Sequence, residues 1–473
     1  MRIAAGVRLY TTISAVIAVL AGCTVGPDYS RPEQSVGERF YQPAARGESF
    51  ANLPWWNLFI DPVLQNLIRE SLNENKDLKV AAARIEQARA NLGFTRADQF
   101  PRIDLSGNAD RTNESDNIDF PGKNPFNDFG TFGDLSFEID IWGKLRRATE
   151  AERATLLSTE YAQRAIVISL VSEVATDYFH IVGVEDRLAI TDETIRSRAA
   201  STNLIRARLK KGVAPEIDLN QAQIEEATAR ADRSDYERDL EQTKHAVSIL
   251  LGKVPGDIPH GQNLFQQSLR GDLATGFPAE LLQRRPDVMS AEEALRSETA
   301  LIGVAKAERF PTLTLLGFVG LESNKTSDFF HHGSFTWSIG GSLLGPLVDF
   351  GKSKYAQEAQ EASAKAALGN YEQTVIQAVR EVDDALVAIR TSRASLAQQE
   401  NAVKAAANAD KLAHARYDEG VSPYLEVLII ERSLFGAQVE ASNDQESYLT
   451  SIIQLYKSLG GGWKDQEQLS LNH

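Results

Sequence analysis

A chain of 473 residues is long enough for one large domain or for two to three ordinary ones, with ample core. Its net charge of −15 and the lack of any Lys/Arg-rich stripe argue against nucleic acid as a partner. Cys23 is its only cysteine, so no disulfide forms within the chain.

The N-terminus reads "MRIAAGVRLYTTISAVIAVLAGC". Arg2 and Arg8 precede an apolar run, Ile13 to Leu20, too short to span a bilayer. That layout predicts a secretory signal peptide over residues 1–22. Leu20-Ala21-Gly22-Cys23 resembles a bacterial lipobox, which predicts lipidation at Cys23 and accounts for the lone thiol. Thr24 stands where an Asp would resemble an inner-membrane retention signal, so the outer membrane is the expected address. No other stretch reads as a membrane helix.

The rest of the chain repeats itself. "FPRIDLSG" at Phe100 returns as "FPTLTLLG" at Phe310, an offset of 210 that also relates Asp77 to Asp287, Gly93 to Gly303 and Ala97 to Ala307. Beyond it the offset is 208: Trp142-Gly143-Lys144 matches Phe350-Gly351-Lys352, and "ARLKKGVAP" from Ala207 matches "ARYDEGVSP" from Ala415. The slip of two residues places a longer loop between Gly107 and Trp142. Each half has the same order of elements. Asp61-Pro62 is a helix start, and a helical stripe (Ala81, Ile85, Ala88, Leu92) runs to about Asp98. Two strands follow. A very long helix then runs from about Arg146 to Lys211, with a coiled-coil seam of Val167, Val171, Val174, Tyr178 and Ile181. The seam returns 208 residues later as Val375, Val379, Val382, Leu386 and Ile389. Gly212 and Pro215, and Gly420 and Pro423, break the chain before a returning helix. The long helix measures roughly 100 Å and the two shorter ones roughly 55 Å each, so the half-repeat is expected to be an antiparallel helical rod with a β-hairpin at one end.

The expected layout is a leader at 1–22, an N-terminal segment at 23–60, a first repeat at 61–252 and a connector at 253–286. A second repeat covers 287–460 and a tail 461–473. The hairpins fall at about 102–142 and 312–349, and the tip turns at 212–215 and 420–423.

All four strands alternate. Ile103, Leu105, Gly107 and Ala109 oppose Asp104, Ser106, Asn108 and Asp110. Leu135, Phe137, Ile139 and Ile141 oppose Asp134, Ser136, Glu138 and Asp140. Leu313 through Leu321 and Phe335 through Leu343 behave alike. Runs of about 9–11 residues cross a bilayer when tilted. Phe100, Phe310, Trp142 and Phe350 bound the strands at one level, as an interfacial girdle does. A soluble hairpin would alternate too; the aromatic residues favour the membrane. Four strands cannot close, and lipid tolerates no open edge, so the chain is expected to assemble. Asp104, Asp110, Asp134, Glu138 and Asp140 on the inward faces predict an acidic, cation-preferring lumen.

The lipobox, the two halves, the "GVxP" turns, "SLGGGW" from Ser458, "LLQRRPDV" from Leu281 and the "AxAxRFPxLTLxG" run from Ala305 together resemble the TolC-like outer-membrane factors of tripartite efflux systems, in their lipoprotein branch. The resemblance covers nearly all of the mature chain. It implies a mainly α fold with membrane β: a homotrimer with a twelve-stranded transmembrane β-barrel continuous with a periplasmic α-helical barrel. An equatorial belt would draw on residues before Asp61, the Lys253–Arg285 connector and the tail. It implies a passive exit duct for small molecules that docks a periplasmic adaptor and serves an inner-membrane pump of the RND type.

Carried onto this chain, the family's periplasmic gate falls at Asp218, Leu425, Glu426, Ile429 and Arg432, and adaptor docking at Gly212, Val213, Gly420 and Val421. Leu425, Ile429 and Arg432 share a helix face. Several relatives have Asp where this chain has Ile429, so an apolar closure is expected in place of an Asp ring. Plain coiled-coil packing of Leu425 and Ile429 is the alternative.

No phosphate loop, nucleophile elbow or zinc motif occurs, so neither an enzyme nor a metal site nor any cofactor beyond the lipid is expected. His331-His332 lacks a third ligand. Asp383-Asp384 and Glu225-Glu226 read as solvated or lumen-facing charge. Two other functions fit the pattern less well: a structural lipoprotein tethering the outer membrane, whose solid core would make the inner strand faces apolar, and a duct for protein secretion.

Overall fold

The computed structural model describes residues 24–34, 36–42, 49, 52–115, 117, 121–267 and 274–461. The expected leader, Cys23 and residues 462–473 of the tail lie outside these. Two compact units divide the described chain. One comprises 24–33, 84–160 and 290–372; the other takes the remainder. Four helices contribute residues to both units.

The second unit begins with α1 (Trp55–Leu58) and α2 (Pro62–Glu74). Asp61 caps α2 by accepting the Val63 N–H at 2.9 Å, and Pro62 takes the first position, where no N–H is needed. The helical stripe expected to continue to Asp98 is interrupted at Asn75, whose backbone is extended (φ −56°, ψ 134°). The Asn75 side chain explains the break. Its Oδ1 accepts the Leu78 N–H at the start of α3 (Lys76–Ala97), and its Nδ2 donates to Leu250 O.

The second half repeats this joint with a different residue. Arg285, extended at φ −79° and ψ 118°, separates α6 (Leu281–Arg284) from α7 (Pro286–Ala307) and donates to Ser458 O at 3.0 Å. Gly252 and Gly460 make both joints possible. Each has φ +70°, and a Cβ there would lie 2.4 Å from Glu74 O and 2.8 Å from Arg284 O.

The long helices α4 (Lys144–Lys210) and α8 (Lys352–Asp418) each have 67 residues, and the returning helices α5 (Glu216–Leu250) and α9 (Tyr424–Ser458) each have 35. The seam is core: Val171, Val174, Tyr178 and Ile181 are buried on α4, as are Val375, Val382, Leu386 and Ile389 on α8. One stretch of α4 is apolar enough, by length and composition, to cross a membrane, contrary to the sequence reading; more than half of it is buried inside the protein.

The first unit holds the sheet. β1 (Arg102–Thr112), β2 (Phe126–Ile139), β3 (Thr312–Ser323) and β4 (Phe335–Leu344) pair antiparallel in chain order. The β1–β2 connection, 113–125, is two residues longer than the β3–β4 connection, 324–334, which accounts for the change of offset. Among the described residues the outer edges of β1 and β4 are unpaired. The N-terminal segment lies against this unit. Val25 N–H donates to Trp142 O, Asp28 pairs with Arg147 at 2.6 Å, and Arg31 with Glu292 at 2.5 Å.

Candidate functional site

The strand register joins the faces of all four strands. Asp104 pairs with Asp134, Asp134 with Phe318, and Phe318 with Ser338; Leu105 pairs with Gly133, Gly133 with Val319, and Val319 with Trp337. Directly opposed residues share a face. Even-numbered residues therefore make one mostly polar face and odd-numbered ones a mostly apolar face. Among the described residues the apolar face is exposed on the outer strands and mostly half-buried on the inner ones: Ile103 is 75% exposed and Leu105 85%, and Trp337, Ile339 and Leu343 are exposed too. Such a continuous exposed apolar surface marks contact with lipid or with another chain.

The polar face opposes carboxylates in register, Asp104 to Asp134 and Asp110 to Asp128. Neighbours offset the repulsion. Arg102 pairs with Asp104 at 2.8 Å, Ser106 donates to Asp134, and Asn108 donates to Asp128 at 2.7 Å and to Asp110 at 3.3 Å. Glu138 pairs with Lys144 at 2.7 Å. Asp140, expected on this face, lies past the end of β2. It accepts the Leu145 and Arg146 N–H groups and pairs with the Arg146 side chain, so it caps the start of α4 and is not a strand-face charge. Asp128 takes a place on the face that the sequence reading left unassigned, because β2 begins earlier than its apolar alternation. Phe132 and Phe318 interrupt the polar face as an edge-to-face pair, 5.4 Å between centroids, with Phe132 packed over Gly130 and Gly320. Of the four aromatic residues at the strand ends, Trp142 and Phe310 stack at 4.5 Å, while Phe100 and Phe350 are exposed.

The tip turns have matching geometry. Gly212 (φ +73°) and Gly420 (φ +75°) end α4 and α8 in left-handed backbone. Val213 N–H donates to Arg208 O and Val421 N–H to Arg416 O, which satisfies helix-end carbonyls. Val213 and Val421 are exposed, and Arg208 pairs with Asp418 at 3.0 Å between the two turns. Behind them Tyr424, Val427 and Leu428 of α9 pack in a core with Ile205, Ala214, Ala222 and Ala413.

Leu425 and Ile429 are outside that core, 49% and 52% exposed. Glu426 turns to Arg416 at 3.1 Å. Burial pushes the Asp218 carboxyl above its ordinary range. Arg432 reaches from α9 to Glu225 on α5, its Nε 2.7 Å from Oε1. Glu225 is not solvated, as its sequence position had implied. It is 5% exposed, and Arg198 donates to its backbone carbonyl at 2.8 Å and lies 3.4 Å from its other carboxylate oxygen. The sequence reading also passed over Asp410, His414 and Glu431, which meet between α8 and α9; the four-residue spacing of Asp410 and His414 was the available signal.

The chain's sequence matches the outer membrane efflux protein family twice, over residues 67–253 and 277–461, so the family's pattern carries the same internal repeat. It is 34% identical to the probable efflux pump outer membrane protein TtgC of Pseudomonas putida, over 95% of this chain and 94% of that one. It is 32% identical to the cation efflux system protein CusC of Escherichia coli, over 95% and 98%. The solved structure of the Campylobacter jejuni CmeC outer membrane channel superposes with a TM-score of 0.85 at 28% identity, covering 95% of this chain and 97% of that one. With both halves matched and relatives aligned along nearly their whole length, the chain belongs to the outer membrane efflux protein family, the outer-membrane channels of efflux pumps.

Proposed function

We propose that three copies of the chain close a twelve-stranded barrel and form a passive exit duct across the outer membrane, continued into the periplasm by the helices. The observation that carries this is the sheet: four strands whose outer edges are unpaired among the described residues, one mostly polar face, and one mostly apolar face held in register throughout. Edges without partners are not tolerated in lipid, and closure through further copies pairs them. A lumen faced by Asp104, Asp110, Asp128, Asp134 and Glu138 favours cations. Acylation at Cys23 would add a lipid anchor next to the segment that packs on the sheet unit.

The exposed turns at Gly212, Val213, Gly420 and Val421 are the docking surface for a periplasmic adaptor, through which an inner-membrane pump of the RND type delivers cargo. Leu425 and Ile429, exposed on their own chain, meet their counterparts to close the tip by excluding water. Arg432 holds α9 to α5 through Glu225. Asp218 and Glu426 lie in the first turns behind the tip. Cargo is small molecules. Relatives at nearly equal identity are named for toluene efflux and for cation efflux, so the choice of cargo rests with the pump.

The test is conductance in planar bilayers, comparing the mature protein with Ile429→Ala/Arg432→Ala. Small flickering currents that grow in the double variant are the expected result. Large steady currents in both would remove the gate and keep the duct. Silence from an assembled trimer would favour the tether.

A further inference from the structure

α8 and α9 face each other just behind the second tip turn. Asp410 and His414, four residues apart on α8, share a helix face. Glu431 approaches from α9. His414 Nε2 lies 3.0 Å from Glu431 Oε1 and 3.7 Å from Asp410 Oδ1, and the ligand atoms of the three residues lie within 4.8 Å of one another.

Two features suit this cluster to a cation. The Glu431 side chain is only 9% exposed, and its Oε2 has no hydrogen-bond partner among the described residues. Asp410 Oδ1 is likewise buried without one. A buried carboxylate with a free oxygen is costly unless a positive charge collects it. The guanidinium of Arg198 is engaged elsewhere, with Glu225 and over the face of the Phe435 ring.

We propose that Asp410, His414 and Glu431 form a site for a borderline divalent transition cation such as Zn2+, held within one chain and clamping α8 to α9 beside the tip. One imidazole nitrogen and two carboxylate oxygens make a donor set that Zn2+ accepts, with a water completing four-coordination. The imidazole disfavours Ca2+ and Mg2+, which take oxygen. Tetrahedral bonds of about 2.0–2.1 Å set ligand atoms roughly 3.3 Å apart, between the two separations observed. Pairs of ligands one turn apart on one helix, joined by a carboxylate from its neighbour, are how helical bundles build metal sites. Such a clamp would stiffen the hairpin that carries Leu425 and Ile429, although the site itself does not depend on the duct reading.

The test uses the full chain in detergent, stripped with chelator and titrated with ZnCl2. Bound zinc per chain is measured by mass spectrometry and the unfolding midpoint by calorimetry. The wild-type protein should retain one zinc per chain more than His414→Gln, and its midpoint should rise with zinc but not with CaCl2. Asp410→Asn, a milder change, should weaken that binding at least tenfold. Equal zinc content in wild type and His414→Gln would overturn the proposal and leave a proton-bridged cluster of His414 and two carboxylates. If His414→Gln fails to fold, unchanged zinc affinity in Asp410→Asn overturns it instead.

Discussion

His180 on α4 is gripped from both sides. Nδ1 lies 2.7 Å from Glu446 on α9 and Nε2 lies 3.1 Å from Asp239 on α5. Only a doubly protonated ring donates at both nitrogens. The hydrogen bond to Glu446 is the main cause that pushes its pKa up to about 9, above the ordinary value near 6.5. Arg187 competes for Glu446 through its other oxygen, at 2.8 Å. Because the folded-state pKa is the higher one, the stabilisation is complete below about pH 6.5 and is lost as pH rises through 9. Asp177 nearby, pushed up to about 6 by burial, destabilises the fold when ionised, and that penalty is relieved only as pH falls below about 6, outside that window. The unfolding free energy should therefore drop as pH rises from 6.5 to 9, by on the order of 1–2 kcal/mol once solvent screening of a partly exposed pair is allowed for, and the unfolding midpoint with it. His180→Gln should flatten that slope. A wild-type midpoint constant across the window would show that the ring is neutral and the grip weak.

At the scale of elements, the two joints between short and long segments have the same position but different chemistry, and that difference is measurable. Asn75 makes one amide contact to Leu250 O. Arg285, nearly buried, donates to Ser458 O and pairs with Asp287 at 2.6 Å and Glu381 at 2.7 Å. Asn75→Ala should cost about 2 kcal/mol, roughly one for the hydrogen bond and one for the cap. Arg285→Ala strands two carboxylates and should cost about 3 kcal/mol, near the lower end for breaking a buried pair because its partners are half exposed. Urea unfolding of the two variants compares them directly, and equal costs would mean the ion pairs at Arg285 add nothing.

The same joints show what a sequence discloses. Strand alternation is legible because a period of two in Leu313–Leu321 is a property of adjacent residues, and the doubled chain is legible because Phe100 and Phe310 open phrases that share Phe-Pro, a Leu and a closing Gly at matching positions. The break at Asn75 is not, since it depends on a carbonyl 175 residues away. Nor is Glu225, which reads as surface charge until Arg432 arrives from 207 residues along the chain. Asp140 continues the alternation perfectly and still leaves the strand, because the start of α4 needs an acceptor more than the sheet needs another residue.

At the scale of the whole molecule, the two faces of one sheet face two different solvents on the duct reading, and adjacent residues test it. Leu105 and Ser106 are neighbours on β1, one on the bare apolar face and one on the acidic face beside Asp134. A positive charge near the bilayer midplane on the lipid side costs roughly 2–4 kcal/mol, while one in a water-filled lumen costs little. Leu105→Arg should therefore reduce the yield of assembled, membrane-inserted protein, measured as the heat-stable oligomer on gels. Ser106→Arg should assemble normally. In a bilayer it should shift the reversal potential toward anions, because it places a cation against a carboxylate that otherwise faces the stream. A soluble sheet packed on a partner through its apolar face would also suffer from Leu105→Arg, but Ser106→Arg would then have no current to change. If Ser106→Arg conducts with unaltered selectivity, Asp134 and its neighbours do not set the field of the lumen. If both variants assemble normally, the odd-numbered face does not meet lipid.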